Sequence, residues 1–190
     1  MDAPKPAGDE KVVYSGRIFE VVRQPMNVGG KMVEFEIVRR SPGVRLLIVK
    51  ESKMLLVREY RSELRGFDFR LPGGKVFDSL AEYKRALDAG VDVMGYARDA
   101  AKKECLEETG LIAKRVEHIH TTASGATVVW DLFYFVVDDF CESKSGSQPE
   151  DGEVIHPEWK TFDEVRKMCL DKEVKEDRSV AVIFRFLSER

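Results

Sequence analysis

Apolar positions along this chain fall into short runs, then helical stripes, then runs again. Residues 12–14, 18–22 and 32–38 are rich in β-formers, with Asn27, Gly29 and Gly30 supplying turn chemistry before the last of them. They predict an antiparallel meander that ends at Ser41-Pro42-Gly43. Residues 44–49 form a continuous apolar run with one charge, the pattern of a strand buried on both faces. Residues 54–57 follow a Glu51-Ser52-Lys53 turn and complete a hairpin. Residues 78–90 predict a short helix: Ser79 and Glu82 make a capping box, Leu80, Tyr83 and Leu87 share a face, and Gly90 closes it. A second helix runs from near Gly95 through Glu108, with Ala97, Ala100 and Ala101 keeping one side small enough to pack close to a sheet. Strands return at 115–120 and 128–137, around a small-residue loop. Residues 141–153 predict a long flexible loop and 159–161 a brief strand. Two helices follow, over 162–170, which Asp163 is placed to start, and over 179–187, capped by Asp177 or Ser179. Residues 1–10 carry prolines and charges and predict a flexible tail.

Composition narrows the class. The chain has 190 residues, enough for one domain with a small appended element, and its 43% apolar and 34% charged residues fit a soluble globular enzyme. A net charge of −3 marks neither a nucleic-acid partner nor an anionic membrane. Cys105, Cys141 and Cys169 form no CxxC pair, and an odd count argues against a disulfide framework. There is no apolar signal core and no run near ~20 apolar residues. The expectation is a cytoplasmic protein.

The chemistry concentrates in residues 103–111, Lys-Glu-Cys-Leu-Glu-Glu-Thr-Gly-Leu. Glu104, Glu107 and Glu108 stand at i, i+3 and i+4, so a helix turns all three toward one side. Like charges at that spacing repel unless a cation neutralises them, and hard divalent ions take such oxygen ligands. The stretch is either a metal-binding catalytic helix or a solvated acidic helix end capped by Gly110. Upstream, Leu71-Pro72-Gly73-Gly74 sets paired glycines where backbone can approach a ligand closely. His118 and His120 alternate on one strand without a third ligand, which speaks against zinc.

Strand, Gly-Gly, acidic helix, strand resembles the Nudix hydrolase family, whose box ends in Arg-Glu-aliphatic-x-Glu-Glu-x-Gly-aliphatic. Lys103 replaces the arginine here and Cys105 the aliphatic residue. Gly73 stands thirty positions before Lys103 where the box has fourteen, an insertion of sixteen that coincides with the helix near 78–90. The box's first glutamate falls on Gly95, so that carboxylate is absent. The resemblance implies an α/β fold, a Nudix α/β/α sandwich with a mixed sheet. It implies Mg²⁺ or Mn²⁺ held by Glu104, Glu107, Glu108 and the Gly73 carbonyl, with Glu107 direct or water-bridged. A small hard cation of this kind neutralises a diphosphate and lowers the pKa of water.

The layout further resembles the ADP-ribose and nucleotide-sugar pyrophosphatase branch. This implies a dimerising β meander over 11–40, a hydrolase domain over 41–190, and a homodimer acting on a small nucleoside diphosphate derivative. The expected reaction splits ADP-ribose or a nucleoside diphosphate sugar into a nucleoside monophosphate and a sugar phosphate. Arg61 matches an arginine that grips the diphosphate, and its other reading is an ion pair with Glu59 or Glu63. Arg70 stands where the branch usually has glutamate, and either aids phosphate binding or disables a metal site. Asp131 falls near a substrate-loop acid. A late acidic loop offers Glu153 as general base, with Glu150 and Asp151 as rivals. Alternatives are a nucleoside triphosphate or dinucleotide pyrophosphatase of the same fold, and a Nudix-like sensing domain with little turnover.

Overall fold

The structure, a computed structural model, describes residues 3–149 and 152–190. In chain order it begins with β1 (Lys5–Pro6), β2 (Lys11–Ser15), β3 (Phe19–Val28) and β4 (Lys31–Arg40). Then come β5 (Gly43–Lys50), β6 (Lys53–Arg61), β7 (Gly66–Arg70) and two helices, α1 (Leu80–Asp88) and α2 (Val93–Thr109). Next are β8 (Leu111–Ala113), β9 (Glu117–Thr122), β10 (Val128–Val129), β11 (Leu132–Val137), β12 (Phe140–Glu142) and β13 (Ile155–Thr161). Helices α3 (Phe162–Leu170) and α4 (Asp177–Ser188) close the chain.

These elements gather into two compact units that do not follow chain order. The first takes residues 3–43, Lys75–Val93 and Ala123–Leu132. In it β2, β3 and β4 form the expected antiparallel meander, and the Asn27 side chain accepts the Gly30 N–H across the β3–β4 turn (2.8 Å). Two strands join that the pattern did not reveal. β1 pairs with β3, so part of the expected tail is sheet, and β10 adds in parallel to β4. α1 belongs to this unit. The Ser79 hydroxyl accepts from the Glu82 N–H (3.2 Å), as its capping chemistry predicts. The Glu82 carboxylate turns instead to the Asp78 N–H. α1 is tied to β3 by Lys84, which neutralises the buried Glu20 carboxylate at 2.8 Å. A carboxylate this buried needs such a partner.

The second unit takes Val44–Gly74, Met94–Thr122 and the chain from Phe133 onward. Its six-stranded sheet runs β13-β6-β5-β11-β9, with β7 also on β6. β5 and β11 are buried almost throughout, as runs without alternation should be. The expected strand over 128–137 is in fact two. It breaks at Trp130-Asp131, β10 going to one sheet and β11 to the other. The 141–153 stretch, expected as loop, starts inside β12, which pairs with β8. α3 starts at Thr161 through a full capping box with Glu164, not through Asp163. The N-cap of α4 is Glu176, whose side chain is used elsewhere.

Buried positions on α2 are Ala97, Ala101, Cys105 and Glu108. Small residues on that stripe bring the helix close to its neighbours and carry Glu108 inward with it. Burial raises the Cys105 thiol to about 11, so it packs as a small apolar group and not as a nucleophile.

Candidate active site

The site begins at the Leu71-Pro72-Gly73-Gly74 segment, which lies along β5. The Val44 N–H donates to the Gly74 carbonyl (2.9 Å) and the Leu46 N–H to that of Pro72 (2.8 Å). Between them Gly73 turns its N–H to the Glu108 carboxylate at 2.8 Å. Gly73 sits at φ +147°, and a Cβ there would overlap the Val44 carbonyl. A Cβ on Gly74 would overlap the Glu104 carboxylate, so Glu104 lies directly on the glycine backbone. The paired glycines therefore seat two of the three helix carboxylates.

Glu108 is 6% exposed. Burial raises its pKa well above the ordinary carboxylate value, and the nearby charges of Glu104 and Glu59 push the same way. The Gly73 N–H and the Arg45 guanidinium oppose them. In metal-free protein the folded state thus retains a proton on Glu108 that the unfolded chain releases. Its contribution to stability falls as pH rises out of the ordinary carboxylate range toward the raised value. Thermal unfolding of chelator-treated protein across pH 5 to 8 checks this, with Glu108→Gln expected to flatten the fall.

Glu107 lies apart from that pair. Its carboxylate bonds Lys103 at 3.0 Å, and its carbonyl accepts the Gln148 N–H. Arg61 makes both of its alternative ion pairs at once, to Glu59 and to Glu63, each at 2.7 Å. Arg70 bonds the buried Asp68 at 3.0 Å and reaches Glu59 at 3.8 Å. Glu59 therefore sits between two arginines while its field reaches Glu108. Sequence reasoning singled out Glu59 only as a partner of Arg61, and Asp68 not at all. Alternation along β6 was the available signal, since Glu59 and Arg61 share one face.

Glu153 is exposed, two residues before the start of β13. Ile155 pairs with Glu59, and the Tyr60 N–H donates to the Val154 carbonyl (3.1 Å), which brings Glu153 to the Arg61 end of β6. Its rivals Glu150 and Asp151 lie outside the described residues. Asp131 belongs to the first unit, where it lines a cavity of about 300 Å³ with Tyr83, Lys84, Leu87 and Arg40.

A Nudix domain model matches residues 39–182, three quarters of the chain. The chain belongs to the Nudix family. The expectation of a Nudix-type pyrophosphohydrolase holds at that level. The fold is similar to that of a crystal structure of an ADP compounds hydrolase, with a TM-score of 0.75 at 16% identity, over 97% of this chain and 92% of that one. This bears out the expected α/β Nudix fold with mixed sheets. No curated protein matches the sequence.

Nudix hydrolases generally need a divalent metal, and the residues at hand fit one. Among the described residues no three His, Cys, Asp or Glu side chains are gathered around one point. Two carboxylates, those of Glu104 and Glu108, rest on adjacent glycines of the Gly73-Gly74 backbone. Magnesium is commonly bound through one or two carboxylates, with water and substrate phosphate oxygens completing its shell. The charge that Glu104 and Glu59 add around buried Glu108 is what such an ion offsets.

Proposed function

We propose that this Nudix protein hydrolyses the diphosphate bond of ADP-ribose or a nucleoside diphosphate sugar, yielding a nucleoside monophosphate and a sugar phosphate. The observation that carries this reading is the seating of Glu108 and Glu104 on Gly73-Gly74, together with Arg61 on β6 and Arg70 on β7, both of which reach Glu59. The name of the similar structure, an ADP compounds hydrolase, supports the substrate class.

Glu104 and Glu108 would hold Mg²⁺ or Mn²⁺ with the Gly73 carbonyl, and Glu107 would take an outer place through water. When bound, the ion supplies charge neutralisation for the diphosphate and acidifies water. Arg61 and Arg70 exchange bonds to Glu59, Glu63 and Asp68 for bonds to phosphate oxygens, where a planar fork of donors matches the geometry. Glu153 accepts the proton of the attacking water at its carboxylate. Asp131 as a substrate contact rests on the family resemblance alone.

Arg61→Ala is expected to raise KM about tenfold with a smaller change in kcat, the loss of one charge-assisted bond to substrate. Steady-state kinetics measure it, and unaltered constants would remove Arg61 from the site.

The first unit is proposed as the dimerisation element. Val12, Tyr14, Met32 and Phe35 are exposed on its strands, apolar surface of the kind an interface covers. Light scattering on eluting protein reads the dimer.

A second reading, a sensing domain with little turnover, is favoured by Gly95 in place of the box glutamate and by the carboxylates already holding Arg61 and Arg70. One panel separates the readings. Protein with millimolar Mg²⁺ or Mn²⁺ is offered ADP-ribose, nucleoside diphosphate sugars, dinucleotides and nucleoside triphosphates, and products are resolved by chromatography. Binding without turnover supports the sensor. Turnover confined to triphosphates or dinucleotides would overturn the substrate assignment. No helix among the described residues is long and apolar enough to cross a membrane, so aqueous assay conditions are the natural start.

A further inference from the structure

Residues 44–49 of β5 carry one charge in an otherwise apolar run, and it is buried. Arg45 is 8% exposed in the middle of the sheet, where a cation is expensive to place. Its guanidinium makes two bonds. Nε donates to the Glu176 carboxylate at 2.9 Å, and Nη1 donates to the Val44 carbonyl at 3.1 Å. Glu176 is equally enclosed, with its side chain 12% exposed. It does not cap α4 with its side chain, although it stands at the N-cap. It accepts instead from the Ser179 hydroxyl at 2.7 Å, and that hydroxyl lies 3.3 Å from the Tyr134 hydroxyl. A buried polar network of this kind restricts its members to one arrangement.

The second bond leads to the active site. The Val44 carbonyl that Arg45 holds is the atom a Cβ on Gly73 would strike, and the next nearest contact of that Cβ is the Arg45 backbone. The other face of the same residue is used too, since the Val44 N–H donates to the Gly74 carbonyl. Val44 is thus the seat of both glycines. Gly73, pressed on it, aims its N–H at Glu108. The contacts run unbroken from Glu176 at the start of α4, through Arg45 and Val44, to Gly73 and Glu108.

We propose that Arg45 is a positioning residue: clamped by Glu176, it fixes the Val44 carbonyl and so sets the Gly73 backbone that orients Glu108. The arrangement ties the C-terminal helix to the acidic helix through one strand peptide. The part of this proposal that concerns metal rests on the reading of Glu108 as a ligand. The part that concerns the glycine backbone does not.

The test uses full-length protein in three forms: Arg45→Met, Arg45→Lys, and Arg45→Met with Glu176→Leu. The single methionine variant takes from buried Glu176 its nearest cation and leaves it only Arg178 at 3.7 Å and the Ser179 hydroxyl, so its unfolding temperature falls. The double variant replaces a buried pair by apolar groups of similar size, which restores stability in many proteins. Arg45→Lys keeps the charge, but an ammonium lacks the planar fork that spans both oxygens. Two quantities are read beyond stability. One is the exchange rate of the Gly73 amide in metal-free protein, by NMR. The other is the Mn²⁺ dissociation constant, by electron paramagnetic resonance.

In the double variant stability is expected to return while Gly73 exchange stays faster than in the parent and Mn²⁺ binds at least about tenfold more weakly. Arg45→Lys shows the same changes in milder form. Recovery of slow Gly73 exchange together with stability would overturn the proposal, because Arg45 would then be structural only. Mn²⁺ binding that tightens would overturn it as well, since that is the effect of merely deleting a nearby positive charge. If the parent itself binds no Mn²⁺, the metal reading fails, and Gly73 exchange still decides the positioning role.

Discussion

Glu108→Gln is expected to lower kcat by at least about a hundredfold without lowering the unfolding temperature of the metal-free protein. The two halves of this result have one cause. Glutamine has the shape of glutamate, and its side-chain oxygen still accepts the Gly73 N–H. It is also neutral without taking up the proton that burial and the charges of Glu104 and Glu59 impose on Glu108. The fold therefore loses nothing. The reaction loses a negative ligand, and even outer partners of a metal site carry factors of about 10–100 in affinity or activity. Turnover of ADP-ribose, beside thermal unfolding of chelator-treated protein, measures both. Unchanged kcat would remove Glu108 from the machinery.

The two glycines are expected to separate fold from chemistry. In Gly73→Ala the new methyl meets the Val44 carbonyl, which is backbone in a central strand and cannot yield, at a φ that L-residues rarely adopt. Strain and overpacking together should cost about 3 kcal/mol, or roughly 10 °C in unfolding temperature for a chain of this size. In Gly74→Ala the methyl meets only the free end of the Glu104 side chain, which can swing aside. That variant should fold nearly as well as the parent, yet lose Mn²⁺ affinity and most of its turnover. Calorimetry and Mn²⁺ titration on both proteins check the contrast. Equal stability of the two would show that the Gly73 segment is less tightly held than its contacts require.

Much of this architecture could be read from residue order, and the parts that could not share a reason. Helices α1 to α3 fall within a few residues of their predicted spans because their apolar stripes and caps are local signals. β5 and β11 declare themselves as unbroken apolar runs. The break at Trp130-Asp131 was hidden because Val128 and Val129 look the same whether they continue β11 or leave for another sheet. Only the partner strand decides, and that information is non-local. The same holds in the site. Glu104 and Glu108 were visible from spacing on one helix. Glu59 and Arg45 act on Glu108 from strands 49 and 63 residues away, and a single arginine in an apolar run does not reveal its partner 131 positions later. For Arg61 the structure shows the ion pairs with Glu59 and Glu63, the alternative that its sequence neighbours offered.

The short strand β10 has a consequence for how the protein is made. Val128 and Val129 pair with Val38 and Arg39, ninety positions earlier. On a ribosome adding about 5–20 residues per second, the outer edge of β4 waits ~5–20 s for its partner. During that interval the nascent chain displays the strand edge at Val38 and Arg39 unpaired. A pause in translation between these points would lengthen the exposure, so the yield of soluble protein should depend on synonymous codons in the stretch that separates β4 from β10.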